Sequence, residues 1–312
     1  MGESDGYLRI LEDLEGLHLR RPFAIVGFGG WIDAGFAATG AVRFLVEHLA
    51  AQRVADIDPE PFYAFTDTRP RVSHPAPGLR EPVWPRAEWY VVHMPDSARD
   101  LVLFTAPEPN LRWRTFTGLV LDTFERLGTE MLVSFGAVLA PVHHRAQPPL
   151  RGYATSDSLR TLLRRRQISS GRYEGPTGIT TVLLAAARDR GLAAFSLSTS
   201  SPSYLTDMPN PRASAALLRV AGEIGGIAFP LGDLEADSRV VAERVDQFLA
   251  ERPELREAVD RLPYAAEAQP AVEESIEEPP AELPSSAAVL QDLEDFLKSL
   301  RKENGDPASD TS

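Results

Sequence analysis

The sequence predicts an α/β fold, a mostly parallel sheet flanked by helices with a C-terminal helical extension. Three observations predict it. Residues 23–38, FAIVGFGGWIDAGFAA, run from an apolar strand through a glycine turn into a helical pattern. Apolar runs then alternate with amphipathic stretches of about 10 to 15 residues, the signature of parallel strands joined by right-handed crossovers. Beyond residue 235 strand patterns stop and amphipathic helical patterns take over.

In the opening unit, Phe23-Ala24-Ile25-Val26 suits a strand covered on both faces. Gly27, Gly29 and Gly30 allow a tight turn and close backbone approach. Asp33 is placed to cap the following helix, whose apolar positions Phe36, Leu45 and Leu49 continue to residue 49. A short strand is expected around residues 7–11 and an aromatic strand at Phe62-Tyr63-Ala64-Phe65. Residues 66–86, rich in Pro and Arg, read as an extended excursion in which the prolines block helix. Further strands are expected at 89–92, 101–104, 131–136 and 192–197, and helices at 113–127, 157–167, 179–189 and 211–223.

The domain division that follows is a core at 1–235 and a helical extension at 236–262. An acidic Pro/Ala/Glu-rich linker occupies 263–284, an amphipathic helix 285–301 and a disordered tail 302–312. Residues 285–301 carry a helical stripe through Val289, Leu290, Leu293, Phe296, Leu297 and Leu300, which must be covered by something.

Charge and composition exclude several function classes. Of the net charge of −13, residues 264–312 hold −9, from twelve acidic and three basic residues, so the core is close to balanced. Neither part fits nucleic acid or an anionic membrane. Cysteine is absent, which removes disulfides, thiol nucleophiles and thiolate zinc sites. Lysine occurs only at Lys298 and Lys302, which removes Schiff-base and phosphate-cradling lysine chemistry from the core. No basic–apolar leader and no membrane-spanning run occur, so a cytoplasmic location is expected.

The candidate site lies in the loops expected at the carboxyl ends of the parallel strands, where open α/β sheets bind ligands. The catalytic candidates are Asp33 or Glu174 as general base and His143 or His144 as acid. Each has a competing structural reading. Asp33 caps its helix, Glu174 ties down its own turn, and adjacent histidines in an extended strand face opposite ways, against shared metal ligation. The glycine turn lacks the third glycine of a dinucleotide fingerprint, Ile32 standing there, and neither a phosphate-loop lysine nor a G-x-S-x-G elbow occurs. Ligand or interface positions in these loops are Gly29, Gly30, Trp31, Glu108, Trp113, Gly175, Thr177 and Tyr204. No cofactor or metal is expected. The balance leans away from an enzyme.

Four motifs in order carry a family resemblance: G-F-G-G-W-I-D-A-G at 27–35, E-P at 108–109 followed by Trp113, Y-E-G-P-T-G-I at 173–179, and S-P-S-Y at 201–204 with P-N-P at 209–211. Over residues 20–260 the chain resembles the proteasome assembly chaperone 2 family, and its arginine-rich, lysine-poor core and acidic tail resemble an actinobacterial member. The resemblance implies a fold related to nucleoside phosphorylase- and hydrolase-like enzymes. It implies self-association, with a trimer among the candidate states, and an assembly or scaffold role with proteasome subunits as partners. The last residues, Asp310-Thr311-Ser312, depart from the hydrophobic–tyrosine–any-residue tail that docks on proteasome pockets. The alternatives are a hydrolase or transferase acting on a nucleoside-like or phosphorylated substrate, and a metabolite-sensing module.

Overall fold

The computed structural model describes residues 6–264 apart from Pro77 and Arg172. The helix expected at 285–301, the tail expected at 302–312 and all but the start of the linker expected at 263–284 lie outside the described residues.

An α/β fold forms, built on one eight-stranded sheet. Its members are β1 (Leu8–Ile10), β2 (Phe23–Gly29), β3 (Gln52–Ile57), β6 (Ala87–Val92), β7 (Leu101–Pro107), β8 (Met131–Ala140), β9 (Arg151–Ala154) and β10 (Ala193–Pro202). A separate ribbon pairs β4 (Arg71–Ser73) with β5 (Glu81–Val83). The sheet order is β1-β3-β6-β7-β2-β8-β10-β9. The four central strands, β7, β2, β8 and β10, run parallel, as the alternating pattern requires. Antiparallel strands extend the sheet on both sides.

Helices cover both faces, because the central strands are apolar on both. α2 (Trp113–Arg126) and α4 (Ile179–Asp189) lie on one face, where Phe28, Trp89, Phe104, Phe116 and Phe124 interlock through edge-to-face and tilted contacts. α1 (Ala37–His48), α3 (Asp157–Arg165) and α5 (Pro211–Gly225) bury Phe23, Ile25, Leu45, Phe195 and Leu217 on the other. α6 (Gly232–Ala250) packs on α5, and α7 (Pro253–Asp260) packs on α6.

The fold departs from the sequence pattern at a few places. Residues 62–65 form no strand. Pro59 and Pro61 precede them, and the Phe62 and Tyr63 N–H groups both donate to the Pro59 carbonyl in a turn. The aromatic rings are buried all the same, Phe62 against Phe116 at 5.2 Å between centroids. The strand of this stretch is β3, where Val54, Ala55 and Ile57 supply the buried residues. The opening helix is also divided. A short 3-10 turn, Ala34–Phe36, precedes α1, with Gly35 at φ 63° and Phe36 at φ 50° between them.

Candidate functional site

The carboxyl ends of β2, β7, β8 and β10 share one edge, and the loops there are stitched together by hydrogen bonds. The Glu108 N–H donates to the Gly29 carbonyl at 2.6 Å, Ala137 N–H to the Ile32 carbonyl at 2.7 Å, and Asn210 N–H to the Gly35 carbonyl at 2.7 Å. Gly27 fits this arrangement because a Cβ there would stand 2.6 Å from the Ala38 carbonyl oxygen of α1. Gly30 sits at φ 123°, a backbone conformation that favours glycine, facing the Glu108 side chain.

Three helices start at this edge, and each start is filled by a side chain. The buried Asp33 carboxylate accepts from the Ala38 N–H at 2.8 Å, the Thr39 N–H at 3.1 Å and the Thr39 hydroxyl at 2.5 Å, closing the first turn of α1. Burial pushes the Asp33 carboxyl above its ordinary value, against the pull of those three donors. Glu108, from the β7 loop, accepts from the Ile179 N–H at 2.7 Å at the start of α4. Asn210 accepts from the Ala213 N–H at 3.1 Å at the start of α5, and its amide donates to Ser201 at 3.1 Å.

Beside these caps lies an open cleft of about 650 Å³. Its lining includes Gly29, Gly30, Asp33, Thr39, Arg43 and Glu108, but neither histidine of the 143–144 pair and not Glu174. Glu88 on its wall accepts from Arg53 at 2.6 Å and from Tyr90 at 2.8 Å. Burial and the Glu88 bond push the Tyr90 phenol up to about 12. Glu174 is exposed and makes no hydrogen bond or ion pair among the described residues. Its neighbour Tyr173, 60% exposed, arches over Gly175 to donate to the Pro176 carbonyl at 3.0 Å. Thr177 is exposed at the tip of the same loop. Trp113 is half-buried, its indole N–H held by the Pro109 carbonyl, whereas Trp31 is 62% exposed.

The histidine pair corrects the extended-strand expectation. Both residues lie in a turn after β8, and their rings stack at 4.2 Å instead of facing apart. His144 joins elements far apart in sequence. Tyr204 Oη accepts from the His144 backbone N–H at 2.8 Å and lies 2.8 Å from Nδ1, and Nε2 lies 2.8 Å from Asp246 Oδ1 on α6. Since the Tyr204 oxygen already accepts from the backbone, its O–H donates to Nδ1, which places the imidazole proton on Nε2, toward Asp246. The same logic applies to His143. Its Nδ1 accepts from the Arg145 N–H at 3.1 Å, and its Nε2 faces Tyr264 Oη at 3.1 Å. Arg145 donates to the other Asp246 oxygen from Nε at 2.8 Å and from a terminal nitrogen.

Both histidines are therefore complete as neutral rings. Burial holds each below its ordinary value, with the neighbouring His144 adding to the effect on His143. Burial also raises the Tyr204 phenol. The crevice beside His144 has a volume of about 20 Å³. That is room for one water molecule, so the crevice beside this Tyr–His–Asp chain is too small for a substrate. Asp246 and Arg145 carried no sequence signal for this role, since Asp246 lies about a hundred positions away on an extension helix. Among the described residues, no group of three or more His, Asp or Glu side chains is placed to hold a metal, and no helix is long and apolar enough to cross a membrane.

Comparison with known proteins agrees with the ordered motifs. The PAC2 family model matches residues 27–249. A proteasome-assembly chaperone homologue from Mycobacterium tuberculosis is 34% identical, with 76% of this chain and 99% of that chain covered and a TM-score of 0.69. A PAC2 family protein from Streptomyces avermitilis is also 34% identical, over 76% and 99% of the two chains, with a TM-score of 0.67. An archaeal proteasome activator from Pyrococcus furiosus shares the fold at 19% identity, with 78% and 97% covered and a TM-score of 0.60. No curated protein matches. With more than half of its length matched by the family model, this chain belongs to the PAC2 family.

Proposed function

We propose that the chain is a non-enzymatic assembly or scaffold protein that works through protein surfaces as a homo-oligomer, with proteasome subunits as clients. One observation carries this reading. Asp33 and Glu108 at the carboxyl edge are engaged as helix caps, while large apolar side chains are exposed beside them, Trp31 at 62% and Leu111 at 51% in the loops and Val138 at 50% and Leu139 at 46% near the end of β8. Exposed apolar groups gathered on one edge favour a protein partner over a small polar substrate. The naming of the Mycobacterium relative as a proteasome-assembly chaperone homologue supports the choice of client.

The test is native mass spectrometry of tagged protein purified gently from its own host. Proteasome subunits co-purifying in a defined ratio, and lost from Trp31→Asp and Leu139→Asp variants of unchanged melting temperature, are the expected result. A bare homo-oligomer carrying a retained small mass would overturn the reading and favour an enzyme or sensor that uses the cleft.

A further inference from the structure

We propose that the β4–β5 ribbon is a docking surface for this chain's own C-terminal segment, residues 285–301. The ribbon is two short strands paired only with each other, outside the main sheet. Two-stranded ribbons are marginally stable when nothing covers them. Yet this one presents Val72 at 57% exposure, Val83 at 40%, Trp84 at 45% and, in its turn, Leu79 at 45%. Register pairs Val72 with Pro82, which puts these two on one face of the ribbon, and Trp84 follows directly after β5. Trp84 is anchored from below by Phe65, with ring centroids 4.8 Å apart.

The charge around this face is one-sided. Residues 68–86 contain four arginines and a single glutamate. Arg69, Arg71 and Arg80 form no side-chain hydrogen bond or ion pair among the described residues, whereas most arginines of the core do. An apolar strip edged by guanidinium groups without a partner among the described residues calls for an amphipathic partner edged by carboxylates.

Residues 285–301 match that description. At 100° per residue, Val289, Leu290, Leu293, Phe296, Leu297 and Leu300 form one stripe. Asp292 and Glu294 fall about 100° to either side of its centre. From residue 264 to 297 there are nine acidic residues and no basic one. The chain leaves the described core at Tyr264, whose ring stacks on His143 at 4.1 Å. The 20 residues from 265 to 284 span up to about 66 Å when extended. A core of this size has a radius of gyration of about 18 Å, so the tether reaches any part of its own surface.

Because the chain has no cysteine, a double-cysteine variant carries the only two thiols. In the full chain, Val72→Cys with Val289→Cys treated with a short bismaleimide should give an intramolecular crosslink. Its rate should be independent of protein concentration and about tenfold or more above that of Val240→Cys with Val289→Cys, which probes an exposed site on α6. Arg71→Glu with Arg80→Glu, or added salt, should slow the reaction. A rate equal to the α6 control, or crosslinks formed only between copies, would overturn the proposal. A second readout avoids new thiols. In full-length Leu293→Glu/Leu297→Glu, amide exchange at residues 71–73 and 81–83 should accelerate while β2 and β8 amides stay protected. Unchanged exchange in the ribbon would also overturn it.

Discussion

Asp246→Asn tests the clasp that joins the helical extension to the loop after β8. The native carboxylate accepts from His144 Nε2–H at 2.8 Å, from Arg145 Nε–H at 2.8 Å and from a second Arg145 N–H. An amide of the same size offers one acceptor oxygen and turns an NH2 group toward a guanidinium that cannot accept. At least one charge-assisted bond is lost, worth about 1.5–3 kcal/mol. The Asp246 side chain is 41% exposed, so water recovers part of this and the expected loss is about 2 kcal/mol. For a chain of this length that lowers the melting temperature by about 3–4 °C.

The pH dependence has a definite sign. Both histidines are held below their ordinary value in the fold, whereas the unfolded chain binds their protons near pH 6.5. The unfolded state therefore carries more protons in the window below that pH. Stability is full above about pH 6.5 and is lost as pH falls through the lowered folded values. The groups facing the pair are Asp246 and Asp260, which favour protonation, and Arg145 and Arg212, which oppose it, with Tyr204 and Tyr264 closing the ends. Removing the Asp246 charge takes away support for the imidazolium, so acidification should hurt Asp246→Asn more steeply than the wild type. Urea melts at pH 7 and pH 5 measure both effects. The reasoning fails if Asp246→Asn loses less than about 0.5 kcal/mol, or if a His143→Gln/His144→Gln variant keeps the wild-type slope.

Three other perturbations have clear expectations. Gly27→Ala places a methyl 2.6 Å from the Ala38 carbonyl oxygen and should cost about 1–3 kcal/mol in a melt, whereas Gly232→Ala, with nothing within 4 Å, should be close to neutral. Glu108→Ala vacates the start of α4 and should cost about 1 kcal/mol. The vacated helix start should then accept an anion, so millimolar phosphate should raise the melting temperature of Glu108→Ala and leave the wild type unchanged. At the opposite edge of the sheet, burial alone would raise the Asp100 carboxyl, but Arg20 and two backbone N–H groups hold it well below the usual carboxylate range. Its stabilisation is complete above about pH 4 and is lost only as pH falls through that lowered value, so Asp100→Asn should flatten the acid limb of the stability curve.

The parallel centre of the sheet was legible because β2, β7, β8 and β10 are apolar runs joined by helices with clear periodicity. Where propensity met proline the reading failed. Phe62-Tyr63-Ala64-Phe65 looks like a strand, but two prolines just upstream turn the chain, and burial of the rings is achieved without a ladder. β3 was hidden because Gln52 and Arg53 dilute its pattern, and β9 because it is four residues long. At the site, Asp33 was legible as a cap because its partners are local. Glu108 meets Ile179 and His144 meets Asp246 across long stretches of sequence, and periodicity carries no information about such pairs.

The caps bear on the choice between enzyme and scaffold. In an open α/β sheet, helix starts at the carboxyl edge are ready-made anion sites, since free N–H groups and the helix dipole favour negative charge there. Here α1, α4 and α5 have those groups filled by Asp33, Glu108 and Asn210. Glu108 comes from the loop after β7, so the cap on α4 also ties two loops together. A phosphorylated substrate at α4 would have to displace a carboxylate already bonded at 2.7 Å, and at α1 a buried one bonded three times. These three helix starts are thus occupied by the protein's own side chains, while Trp31, Leu111, Val138 and Leu139 are exposed. Capped helix starts beside exposed apolar side chains are what the proposed scaffold role requires of this edge.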